Sequence, residues 1–167
     1  MDDIRAMLES QRARDLVCET CLHLNAGRWS DFLALCEPAA FKYSIVNFSP
    51  EIKKTQCWMK QDFAGLAKLL DLLPKHNSDR AQLTRHVTTY KTGRSSAPDT
   101  VSVVSHVTIF RTEWDAEDSH LQSGATSLYV VGKYVDEVVL KPSGAYLASR
   151  TVDLDTRQVG IGSHYIL

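Results

Sequence analysis

The chain has 167 residues, enough for one domain with a sizeable core, and a formal net charge of -1. Apolar residues make up 44% and charged residues 23%, an ordinary balance for a globular protein, and so small a net charge leaves no strong field to draw in nucleic acid or an anionic membrane. No stretch reaches the roughly 20 consecutive apolar residues of a membrane span. The start, "MDDIRAMLES", lacks the basic and long apolar regions of a secretory signal. A single domain over 1–167 in the cytoplasm is the expectation, with Cys18, Cys21, Cys36 and Cys57 as reduced, buried thiols.

In chain order, the first segment predicts a helix. Ala13, Leu16, Val17, Cys21 and Leu24 fall on one face, Asp2 or Asp3 can cap the start, and "NAG" at 25–27 ends it. "WSDFLALCE" predicts a short helix capped by Ser30. "AFKYSIVNF" predicts a strand, "SPEIKKT" a loop, and "CWMKQDFAGLAKLLDLL" a helix that Pro74 terminates. After residue 80 the period becomes two. "RAQLTRHVTTYKT", "TVSVVSHVTIFRTEW", "TSLYVVGKYVDEVVL" and "YLASRTVDLD" predict strands, with "KPSGAY" as a hairpin turn. Helices followed by consecutive long strands give an α+β class, with N-terminal helices packed on a curved antiparallel sheet. Gly132 and Gly144 suit places where that sheet bends.

The motifs that carry chemistry are sparse. "CETCLH" places Cys18, Cys21 and His23 at ligand-like spacing, but it sits in a helical pattern and no second Cys-x-x-His follows. There is no HExxH, no phosphate-cradling glycine loop and no GxSxG elbow. Asp136 and Glu137 are adjacent on a strand, so they point to opposite faces and form no catalytic pair. His86 and His106 fall in strands. On a concave face they would serve as general bases, with Tyr43 as a hydrogen-bond donor and Trp58 lining a cavity.

The C-terminal third carries a more specific pattern. Gly132, Lys133, Tyr134 and Asp136 fit a strand of type G-[KR]-Y-x-D, and Arg150, Val152, Leu154 and Asp155 fit R-x-V-x-LD before a glycine-containing tail. Together with "LTRHVTTY" at 83–90, this resembles the small (β) subunits of Rieske non-haem iron ring-hydroxylating oxygenases. The resemblance implies the cone-shaped fold of scytalone dehydratase, ketosteroid isomerase and nuclear transport factor. It implies a non-catalytic subunit with no catalytic, cofactor or metal residues of its own. The 2Fe-2S Rieske cluster and the mononuclear iron are then expected on a large (α) subunit, the partner in an α3β3 hexamer with a β trimer. A stand-alone cone-fold dehydratase or isomerase, or a small-ligand binding module, is the alternative.

The end of the chain, "TRQVGIGSHYIL", is apolar for a tail. The expected partner contacts are Trp114, Asp155, Arg157, Ile161, His164 and Tyr165, with Ile166 also buried against a neighbouring chain. The competing expectation is that the tail completes its own sheet edge.

Overall fold

The structure is a computed structural model and describes residues 2–76, 81–114, 124–159 and 165–167. Ile161, His164 and most of the polar loop after Trp114 lie outside the described residues. The elements run α1 (Asp2–Asn25), α2 (Trp29–Ala34), β1 (Lys42–Ser49), β2 (Lys54–Asp62), α3 (Phe63–His76), β3 (Gln82–Arg94), β4 (Thr100–Thr112), β5 (Thr126–Lys141) and β6 (Gly144–Leu154). The six strands form one sheet in the order β2-β1-β6-β5-β4-β3.

The sheet is mixed, because β1 lies parallel to β6 while every other pair is antiparallel. The first strand thus docks against the last, which local pairing of consecutive strands does not foretell. Register shifts interrupt four of the five strand pairs, and such bulges bend a sheet. Gly132 sits where β5 and β6 press together: a Cβ there would lie 2.5 Å from the Asp153 carbonyl oxygen. The crowding expected at Gly132 is what the geometry shows.

One face of the sheet carries the core. On β4, Val101, Val103, Ser105, Val107 and Ile109 point inward, and on β5, Val130, Tyr134, Asp136 and Val138 do so. Against them pack Ala13, Leu16, Val17, Cys21 and Leu24 of α1, the face read from periodicity, with Phe32 of α2 and Leu66 and Leu70 of α3. Gly27, at φ +65°, ends α1 in the left-handed region as the "NAG" signal predicts.

Four local expectations are corrected. Residues 57–62, expected to begin a helix, belong instead to the edge strand β2. Lys54–Asp62 pairs with β1, and Asp62 then caps α3 by accepting the Gly65 N–H at 2.8 Å. Pro74 lies inside α3, two residues before its end, where the missing donor and the ring clash disturb only the last turn. Ser30 is within α2, which starts after Arg28 with no side-chain cap. Cys21 and Cys36 are buried, but Cys18 and Cys57 are exposed.

Candidate functional site: a polar cluster inside the sheet and the segment that closes it

The inward alternation of β5 brings three residues of the G-[KR]-Y-x-D and R-x-V-x-LD patterns into contact. Asp136 and Arg150 are register partners on β5 and β6. Arg150 Nε donates to Asp136 Oδ1 and Nη2 to Oδ2, both at 2.8 Å, a bidentate pair with both side chains fully buried. Arg150 Nη2 also donates to Thr20 Oγ1 of α1 at 3.0 Å, and Thr20 donates to the Val17 carbonyl. The Arg150 guanidinium lies 4.1 Å from the centroid of the Tyr134 ring, a cation–π contact. Glu137 faces the other way, as the strand geometry predicts. The sequence assigned these residues to a pattern but gave them no role.

Burial pushes the Asp136 carboxyl upward and Arg150 opposes that shift; Asp136 in turn holds Arg150 above its ordinary value against desolvation. The two-point contact is the geometry of a guanidinium–carboxylate pair. Arg150 Nη1 and the Tyr134 hydroxyl are buried and have no hydrogen-bond partner among the described residues.

A second buried arginine stands nearby on β3. Arg85 Nη1 donates to Asn25 Oδ1 at 3.2 Å and Nη2 to the Ile166 carbonyl oxygen. The Arg85 backbone N–H also donates to Asn25 Oδ1, at 2.9 Å, which ties the end of α1 to β3. Tyr43 of β1 completes the clamp: its hydroxyl donates to the Leu167 main-chain oxygen and accepts the Leu167 N–H, both at 3.0 Å. Ile166 and Leu167 are 2% and 3% exposed, inside their own chain. The expectation that Ile166 buries against a neighbouring chain is therefore corrected. Residues 165–167 form no strand either, so they do not complete a sheet edge.

The four residues of the enzyme alternative are not brought together. Tyr43 is fully buried and bound to Leu167, while Trp58 is exposed on the edge strand β2. His86 and His106 lie on the sheet face turned away from the helices, against Phe110 and Tyr90 respectively. Inward-facing neighbours on the same strands alternate with them, so neither imidazole points into the core. Among the residues expected at an interface, Asp155 pairs with Lys133 at 3.4 Å and Arg157 with Glu51 at 2.5 Å in the same chain. Tyr165 packs edge-on to Tyr129, and Trp114 is exposed.

Burial also raises Cys36 to about 12 and Tyr43 to about 12, and moves Cys21 and Tyr134 upward. A group with a raised folded value stabilises the fold fully below its unfolded value and loses that contribution as pH climbs to the folded one. Stability should therefore fall from about pH 9–10 towards 12, beginning at the ordinary thiol and phenol values. Absorbance at 295 nm, followed with circular dichroism, should show part of the phenolate signal appearing only as the fold is lost. Complete phenolate formation with native dichroism intact would contradict this placement of Tyr43 and Tyr134.

The described residues contain no group of three His, Cys, Asp or Glu placed to hold a metal ion, and none of their helices is long and apolar enough to cross a membrane. In the "CETCLH" segment, Cys18 is exposed and Cys21 is buried, so the two thiols do not converge.

Solved structures place this architecture in a known class. The β subunit of an aromatic-ring-hydroxylating dioxygenase from Novosphingobium aromaticivorans superposes with a TM-score of 0.75 at 22% identity, covering 93% of this chain and 94% of that one. An NTF2-like protein from the same species superposes at 0.62 and 16% identity, covering 94% and 88%. The fold is the α+β cone of the scytalone dehydratase and nuclear transport factor type, with helices on a curved six-stranded sheet. No protein-family model matches the chain. Curated relatives do. The chain is 32% identical to the methanesulfonate monooxygenase hydroxylase subunit beta of Methylosulfonomonas methylovora over 165 residues, 99% of this chain and 91% of the relative. It is 33% identical to the 2-aminobenzenesulfonate 2,3-dioxygenase subunit beta of an Alcaligenes species, over 84% of this chain and 87% of the relative. The chain belongs to the family of small (β) subunits of ring-hydroxylating oxygenases.

Proposed function

We propose that this chain is the non-catalytic subunit of a cytoplasmic Rieske-type oxygenase and supports assembly and stability of a large α subunit. The carrying observation is identity above 30% to an oxygenase β subunit along nearly the whole length. The interior supports the same reading: the centre of the cone is filled by an ion pair that braces the fold, formed by residues of the pattern that carries the family resemblance. The Rieske cluster and the mononuclear iron belong on the large subunit, in an α3β3 complex built on a β trimer. Both curated relatives are named for sulfonates, so an organosulfonate is the proposed substrate class.

The partner surface in this reading is the sheet end where β4 stops and β5 begins. Trp114, Leu128, Phe48 and Ile52 are exposed there, beside Asp155, Arg157 and Tyr165. Exposed apolar side chains grouped with charged ones suit a protein interface.

Co-expression with the large subunit tests the proposal. The two chains should co-purify as a hexamer, and iron should follow the large subunit while this chain purified alone contains none in stoichiometric amount. Failure of the two to associate, or about one metal per chain in this subunit alone, would refute it.

A further inference from the structure

The two buried arginines are treated differently. Arg150 has its carboxylate. Arg85, 5% exposed, has no carboxylate within ion-pairing distance among the described residues, and its charge rests on an amide oxygen and a main-chain carbonyl. Its Nε is buried without a partner. A buried cation so compensated is a poor bargain unless an anion completes the site at some point in its working cycle.

Arg85 borders a cleft of about 510 Å³ whose walls include Trp29, Leu73, Gln82, Tyr165 and Ile166. The volume and the mix of aromatic, aliphatic and few polar walls suit a small organic ligand. Arg85 and Tyr43 grip two successive main-chain oxygens, those of Ile166 and Leu167. Tyr43 is fully buried and is not part of the cleft wall, so the donor the cleft presents is the Arg85 guanidinium, which suits an oxyanion.

We propose that this cleft binds a small organic oxyanion, a sulfonate or carboxylate, on Arg85, and that the Ile166 carbonyl oxygen occupies Arg85 Nη2 in the unliganded chain. The apolar part of the ligand lies between Trp29 and Leu73. Entry of the anion exchanges the Ile166 carbonyl oxygen on Arg85 for its own, so the closing segment moves when the site fills. The site does not depend on the subunit assignment, since it uses only residues of this chain.

Titration of the full-length chain with benzenesulfonate, methanesulfonate and benzoate tests this, with methyl phenyl sulfone as the uncharged control and chloride held constant. Tryptophan fluorescence and calorimetry should show saturable binding of at least one anion and none of the sulfone. Whether sulfonate or carboxylate binds more tightly identifies the ligand class. Arg85→Gln should weaken binding about tenfold or more, as expected for loss of a charge-assisted hydrogen bond. Hydrogen exchange at the Ile166 and Leu167 amides should quicken when the anion is bound. No saturation by any anion up to about 10 mM, the weak end of specific affinity, would overturn the proposal. So would an equal response to the sulfone, or unchanged binding by a folded Arg85→Gln chain. If that variant fails to fold, the wild-type exchange experiment decides: unaltered protection of the two amides in saturating benzenesulfonate refutes the site.

Discussion

Replacing Arg150 with methionine is expected to destabilise the chain by about 3–5 kcal/mol, the cost of leaving one member of a buried ion pair without the other. Both side chains are fully buried, and Arg150 makes three of the hydrogen bonds that join β5, β6 and α1. Asp136 would be left in the core without its counter-ion, where burial pushes its carboxyl upward with nothing to oppose it. Asp136→Asn should be less severe, because the amide keeps one oxygen for Arg150, yet it leaves the guanidinium charge uncompensated. The double change Asp136→Leu with Arg150→Met removes both charges and should recover most of the loss, since well-packed apolar replacements of buried pairs are often neutral or stabilising. Urea unfolding at a fixed chain concentration measures all three. A loss under about 1 kcal/mol for Arg150→Met would show that the pair contributes nothing beyond surface-like electrostatics.

The ion pair also marks the limit of what the sequence disclosed. Period-two alternation located β4 and β5 and correctly set Asp136 and Glu137 on opposite faces, because strand geometry alone decides that. It did not pair Asp136 with Arg150. That pairing depends on a register shift between Glu137 and Val138, which leaves no local signal, although "KPSGAY" marks the hairpin turn that returns β6. The parallel β1–β6 contact was hidden for the same reason: it joins residues more than a hundred positions apart. Residues 57–62 read as helix because Met59 and Phe63 fit a helical face, yet they belong to the edge strand β2. The better signal was Asp62, a capping residue directly before Phe63, where the helix begins. His86 and His106 were correctly placed on strands, but which face of a strand is the concave one depends on the curvature of the whole sheet. Arg85 lay inside "LTRHVTTY", and its inward side was readable only once Leu83 was known to face the core.

The closing segment yields the other large effect. An apolar tail read alone points to a partner chain, because a sequence does not reveal that the cone leaves an opening between α1, β1 and β3. Ile166 and Leu167 fill that opening. Each buried aliphatic side chain is worth roughly 1.5–3 kcal/mol. Removing both by Ile166→Ser with Leu167→Ser should therefore cost about 3 kcal/mol at the lower end, a fall in Tm of roughly 6–12 °C for a chain of this size. Deleting 165–167 should cost more, because Tyr43 and Arg85 would lose their main-chain partners and stay buried. The test compares dilute chain, melted by circular dichroism, with concentrated chain examined by sedimentation. The loss should appear in the dilute sample at every concentration tried, with association following only the folded fraction. An unchanged Tm alongside collapse of the assembly would return Ile166 and Leu167 to the interface and remove the segment from the core of its own chain.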